Sequence, residues 1–225
     1  NYWNGAPASQ TVMQNYVSNV VYASSSTKNY EERSASGPIY NYTNQSFPNP
    51  SHNTIYTVNY YDDYTFDRAG AGTPSSIGSV YGKTLTNNVK GLATGTKVRV
   101  LDTNNWITTV TYYDEKGRPI YVYSHNSYLQ TTDIVKTKLD FTGKVLETTS
   151  IHTNVNSTLP TITIYDKFEY DHAGRLKKQI QWGTNISGTE VILENTYDEL
   201  GQLIVKKTGG KTTQSRLQTI NYKYN

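Results

Sequence analysis

At 225 residues the chain is long enough to bury a core, yet only 35% of it is hydrophobic even with its 21 Tyr counted, against ~45–50% apolar in average domains, which argues against a thick, dry core. The absence of Cys excludes disulfides, thiolate metal sites and a Cys nucleophile, and no apolar run nears the ~18 residues of a membrane helix. A net charge of +3 with 12% aromatic residues is the reverse of a disordered composition, and the surplus of Tyr, Thr, Asn and Ser suits a thin sheet with half-wet faces.

In chain order, residues 1–57 are an irregular region that no motif assigns, with polar stretches at Ser24-Ser25-Ser26-Thr27 and Phe47-Pro48-Asn49-Pro50. A strand signal closes it at Thr54-Ile55-Tyr56-Thr57-Val58-Asn59-Tyr60-Tyr61. Residues 58–105 form a second region, interrupted by Arg68-Ala69-Gly70-Ala71-Gly72-Thr73-Pro74. Neither a helix nor a strand interior tolerates such a run, so an extended loop is expected there. From Lys97 onward strand-length segments follow a period of two: Ile162, Ile164, Phe168 and Tyr170 share one parity, and Thr161, Thr163, Lys167 and Glu169 take the other. No helical stripe of three turns occurs, and the expected fold class is all-β. Met13 is the sole methionine, so Asn1 is no initiator and the chain is expected to be a piece of a longer polypeptide.

Residues 106–225 carry an internal repeat. Tyr-Asp-x-x-Gly occurs at Tyr113-Asp114-Glu115-Lys116-Gly117, Tyr170-Asp171-His172-Ala173-Gly174 and Tyr197-Asp198-Glu199-Leu200-Gly201, with a looser copy at Leu139-Asp140-Phe141-Thr142-Gly143. Chance places about 0.07 copies of the strict pattern in such a composition, so the repeat is real. The Asp positions lie 26, 31 and 27 residues apart, one β-hairpin per period. Asp at the first turn position accepts a hydrogen bond from the backbone two residues on, and Gly at the fourth takes φ > 0. A type I turn closed by a glycine bulge is expected, with Tyr113, Tyr170 and Tyr197 packing between adjacent hairpins. A lone hairpin is not stable, so successive copies must stack edge to edge. The closing Ile220-Asn221-Tyr222-Lys223-Tyr224-Asn225 reads as the strand entering a further copy.

Tyr-Asp-x-x-Gly-Arg-Leu, intact from Tyr170 through Arg175 to Leu176, resembles the signature of RHS or YD repeats. Tyr113 to Ile120, which includes Arg118, and Tyr197 to Leu203 resemble its variants. Residues 58–105 resemble the stretch preceding the repeats in RHS proteins of Bacteroidetes-type bacteria. The copies depart from the pattern at Pro119, Leu139, Lys144 and Gln202, a drift compatible with structural roles. The resemblance implies repeated antiparallel hairpins in a sheet that spirals into a hollow shell, as in RHS toxins, the shell component of Tc toxins and teneurins. It further implies a secreted or cell-surface protein that encloses a C-terminal toxin or effector used in interbacterial competition. Its expected partners are the rest of its own shell, that effector and the outer-membrane type IX secretion machinery.

No catalytic, metal-binding or cofactor set is read from the residues. Asp62, Asp63 and Asp67 lack the Asp-x-Asp-x-Asp-Gly frame of a calcium loop. Gly82-Lys83-Thr84 and Gly210-Lys211-Thr212 resemble phosphate loops but lack the required first glycine. His52, His125, His152 and His172 are scattered, and no Gly-x-Ser-x-Gly elbow exists. Arg175, Lys177, Lys178, Lys206, Lys207 and Lys211 make the C-terminal third basic without a nucleic-acid motif, which suits a solvated strand face. The sequons at Asn41, Asn44, Asn156 and Asn185 are expected in so Asn- and Thr-rich a chain. A rival expectation is an extracellular carbohydrate- or protein-binding adhesion module that stacks ligands on rings such as Trp3, Trp106 and Trp182.

Overall fold

The computed structural model describes residues 2–3, 9–16, 18, 30–46 and 53–224. The stretches at 24–27 and 47–50, and His52, lie outside the described residues. Strand β1 (Tyr2–Trp3) pairs with β2 (Asn53–Thr54), and a two-turn helix, α1 (Gln10–Tyr16), lies between them in the chain. After β3 (Thr57–Asp62) come a single helical turn, α2 (Pro74–Ile77), and a small hairpin, β4 (Ser79–Val80) and β5 (Lys83–Thr84). From there the chain is a meander: β6 (Val89–Arg99), β7 (Trp106–Tyr113), β8 (Pro119–Asn126), β9 (Thr131–Leu139), β10 (Val145–Asn154), β11 (Thr161–Tyr170), β12 (Leu176–Gly183), β13 (Glu190–Tyr197), β14 (Leu203–Thr208) and β15 (Gln218–Asn221).

The protein is all-β. Strand β3 and the meander form one antiparallel sheet of eleven strands in the order β3-β6-β7-β8-β9-β10-β11-β12-β13-β14-β15. The sheet runs without interruption through the loop between β6 and β7, because Gly95 to Arg99 pair with Val110 back to Trp106.

Burial divides the sheet in two. The core lies under β3, β6, β7 and β8, where residues 63–85 fold back over one face and supply Tyr64, Phe66, Ala71, Val80 and Leu85 against Val58, Tyr60, Val110, Tyr112 and Tyr121. Phe66 stacks on Tyr60 with ring centroids 4.0 Å apart. It fits only because its neighbour in the sheet is Gly95, where any Cβ would overlap the Phe66 ring. Residues 30–46 extend this cover: Tyr42 stacks on Tyr60 at 5.8 Å, and the Arg33 guanidinium sits 5.0 Å from both rings. In β11, β12 and β14, by contrast, no residue is buried. The low apolar content is thus spent on one half of the sheet.

Two local expectations change. The run at 68–74 is irregular only to Thr73, which closes a capping box with Ser76, while Pro74 opens helix α2. Proline suits a first helical position, since its missing N–H would be unpaired there anyway. The strand expected over 54–61 is split into β2 and β3, with residues 55–56 outside both.

Candidate functional site, a ladder of tyrosine-aspartate turns

All four Tyr-Asp turns connect strands at the same end of the sheet, joining β7 to β8, β9 to β10, β11 to β12 and β13 to β14. Within each, the Gly N–H donates to the Asp carbonyl: Gly117 to Asp114, Gly143 to Asp140, Gly174 to Asp171 and Gly201 to Asp198, at 2.9 to 3.3 Å. The Asp N–H donates across the turn to the residue after the glycine. The four glycines have φ of 72°, 96°, 80° and 84°, and the ladder slips by one residue at each turn, as a glycine bulge requires.

The Asp carboxylates bind their own turns. Asp114 accepts from Lys116 N and Arg118 N at 2.9 and 3.0 Å and is forked by Arg118, with Nε 2.8 Å away. Asp171 accepts from Arg175 N at 2.9 Å and Arg175 Nε at 2.6 Å. Where arginine is replaced the fork is lost: Asp140 holds Thr142 and Lys144 N, and Asp198 holds Gln202 N. Burial raises the Asp114 and Asp171 pKa values, but hydrogen bonds from the arginine side chains and turn amides outweigh it and hold both below the usual range. Asp140 is lowered chiefly by the Thr142 hydroxyl.

Consecutive turns are linked by a second set of bonds. The Tyr hydroxyl of one turn donates to the carbonyl two residues after the glycine of the preceding turn: Tyr170 to Val145 at 2.8 Å and Tyr197 to Leu176 at 2.9 Å. Tyr224 does the same to Leu203 at 2.9 Å, so it occupies the motif position of a further copy. At two turns the residue after the glycine reaches forward to the ring of the next tyrosine, with Lys144 Nζ 4.8 Å from the Tyr170 ring and the Arg175 guanidinium 4.4 Å from the Tyr197 ring. Leu139 has no hydroxyl to give, and there Arg118 makes the link, donating to the Asp140 carbonyl at 2.8 Å.

A fifth turn escaped sequence inspection. Tyr113 donates to the carbonyl of Ala93, which stands two residues after Gly91 (φ 81°). Tyr61 pairs with Ala93 just as Tyr113 pairs with Pro119, Tyr170 with Leu176 and Tyr197 with Leu203. Asp62 accepts from Gly91 N at 2.5 Å. Tyr61-Asp62 and Gly91 are therefore the two halves of a Tyr-Asp turn opened by residues 63–90, the segment that covers the core. Both halves stand in the sequence, but a fixed-spacing pattern cannot join them.

The other residues singled out by sequence disperse. Asp62 caps the split turn, Asp63 accepts from Arg33 at 3.2 Å, and Asp67 pairs with Lys97 at 2.6 Å; no metal-holding group of three occurs among the described residues. His152 contacts Asp133 at 2.6 Å, His125 contacts Thr132 at 3.1 Å, and His172 is exposed at a turn tip. Gly82, Lys83 and Thr84 line a polar hollow with Asp114, Glu115, Lys116 and Arg118. Trp106 meets Tyr40 edge-on at 4.9 Å, and Trp182 stacks on Tyr165 at 5.4 Å. No helix among the described residues is long and apolar enough to cross a membrane.

Replacing Gly174 by Val is expected to cost about 2 kcal/mol, because valine is strained at φ 80°. Its Cβ would also meet Lys144 Nζ at 2.7 Å, a flexible contact that can give way. The same change at Gly117, where only Leu92 Cδ1 comes near at 3.6 Å, isolates the backbone part. Urea midpoints of the two variants check this; an unchanged midpoint in both would remove the strain argument. Neither a family model nor a curated protein matches the chain.

Proposed function

We propose that the chain is a stretch of wall in a secreted or cell-surface β-shell of the RHS/YD-repeat kind, which encloses and helps deliver a C-terminal toxin or effector in interbacterial competition. The observation that carries this reading is the ladder between turns. Four of the five turns offer the next one the same carbonyl, two residues past the glycine, and at the remaining one Arg118 makes the link, so hairpins add in sequence along a single sheet. A wall one sheet thick needs few apolar residues, in keeping with the composition and with the unburied strands β11, β12 and β14. On this reading the motif aspartates are turn caps rather than catalysts, and export runs through the outer-membrane type IX machinery.

The test is limited proteolysis of the protein produced from the full reading frame. The segment downstream of the last Tyr-Asp copy should be cut far more slowly than the same segment produced by itself. Equal rates would refute enclosure.

A second reading, an extracellular carbohydrate- or protein-binding module, is favoured by one observation: Trp182 and Tyr165 form a stacked pair on strands without a buried residue, and Tyr165 is 36% exposed. A glycan array probed with the parent and with Trp182→Ala decides it. Retention lost in the variant supports this reading, and no retention by the parent ends its carbohydrate form.

A further inference from the structure

The two rims of the sheet differ in chemistry. The Tyr-Asp rim is charged: every turn carries at least two ionisable side chains, as in Asp114-Glu115-Lys116-Gly117-Arg118. On the opposite rim the loops at 127–130, 155–160 and 184–189 contain no Asp, Glu, Lys or Arg, and the loop at 100–105 contains only Asp102. The loop at 209–217 contributes Lys211 and Arg216, of which Arg216 pairs with Glu194 at 3.0 Å.

Both rims expose apolar side chains, but Phe141 and Leu200 on the Tyr-Asp rim stand among charged neighbours, whereas on this rim the apolar ones are largely free of them. Leu101, Tyr128, Leu129, Val155, Leu159 and Leu217 are 69%, 57%, 54%, 67%, 39% and 84% exposed. The polar side chains beside them turn back onto their own backbone. Asn126 Oδ1 accepts from Tyr128 N and Leu129 N at 3.0 and 3.1 Å, Asn154 Oδ1 from Asn156 N at 3.0 Å, and Ser157 Oγ from Leu159 N at 3.2 Å. Local turn chemistry thus uses the polar groups and leaves the apolar ones to face outward.

We infer that this rim is a self-association surface on which a second copy of the chain docks rim to rim. The few charges of this rim are of both signs, Arg99 and Asp102 at one loop and Lys211 and Arg216 beside Glu190 and Glu194 at another. It therefore presents no single-sign field to an acidic or basic partner or to anionic lipid, whereas two such rims meet without net repulsion. The loops recur at every second strand, roughly 10 Å apart, so a matching row of ridges is found on another rim of the same kind. Eleven strands make a rim ~48 Å long, and a contact ~10 Å deep buries ~500 Å² per partner, at the lower limit of specific interfaces. The dimer is therefore weak, and it forms whatever the wall encloses.

Sedimentation velocity over a concentration series tests this. The parent chain should pass from monomer to dimer as concentration rises. Tyr128→Glu combined with Val155→Glu should weaken association at least ~10-fold with unchanged far-UV circular dichroism, while Phe141→Glu on the charged rim should associate as the parent does. A parent that stays monomeric overturns the inference. So does a dimer that survives the double substitution but is lost in Thr219→Pro, which would place the contact on the free edge of β15. Binding of the monomeric parent to phosphatidylcholine vesicles, lost in the double variant, would assign the rim to lipid and likewise overturn it.

Discussion

Replacing Tyr112 by Ala is expected to lower the melting temperature by about 10 °C. The side chain is 0% exposed, stacks on Tyr64 at 4.9 Å, meets Tyr121 edge-on at 5.5 Å, and donates its hydroxyl to the Gly72 carbonyl at 2.5 Å. It is one of the points where the sheet holds the covering segment, with Tyr123, which donates to the Ala69 carbonyl, and Lys97, which pairs with Asp67. Truncating a buried aromatic costs about 3–5 kcal/mol through lost burial and the cavity left behind, and in a chain of this size each kcal/mol lowers the midpoint by about 2–4 °C. Burial pushes the Tyr112 pKa up to about 12, so the hydroxyl is a neutral donor across the working pH range. Tyr112→Phe removes only that bond and should cost about 1 kcal/mol. Thermal melts of both variants check the pair of values. An Ala variant that melts with the parent would mean that residues 63–85 are not seated on this face.

Asp114→Ala is expected to cost about 3 kcal/mol, the largest effect among the motif aspartates. Its side chain is 5% exposed and pairs with Arg118 at 2.6 Å. Removing it strands two turn amides and leaves a guanidinium that is itself only 20% exposed without its counter-charge. The same change should cost less at Asp171, whose pair with Arg175 is more open to water at 15% and 29%. It should cost least at Asp198, which has no arginine and binds one amide. Urea midpoints of the three variants test the order, and equal losses would mean that the arginine fork contributes nothing.

Acid provides an independent check. Because the folded pKa of Asp114 lies below its ordinary value, the fold binds this proton less readily than the unfolded chain. The stability it contributes is therefore present above the unfolded pKa and is lost as pH falls through the folded one. The parent should lose stability below about pH 4, and Asp114→Ala should lose less over the same range. Identical acid profiles would contradict a charge-assisted bond at this turn.

What the sequence determined by itself is local. Alternation along β11, the Asp-to-Gly spacing and the turn-forming residue types suffice for an all-β chain of hairpins, because a strand and a four-residue turn are governed by neighbours a few positions apart. They also place the positive-φ glycines, since only glycine adopts that conformation freely.

Tertiary structure decided everything that joins distant residues. Tyr112 and Tyr113 are adjacent, identical in type and both buried, yet one donates to Gly72 in the covering segment and the other to Ala93 in the ladder. The bulge between them breaks the period of two that would otherwise assign their faces. Tyr61-Asp62 and Gly91 read as unrelated until the sheet pairs Tyr61 with Ala93. Nothing in the residues around Lys97 marks it for burial, yet it is 5% exposed beside Asp67 because the segment between β3 and β6 closes over it. The run from Arg68 to Pro74 reads as an extended loop, yet its Ala71 is buried in the core beneath the sheet. In each case the deciding contact spans tens of residues, and its loop-closure cost is recovered only when the whole sheet is assembled.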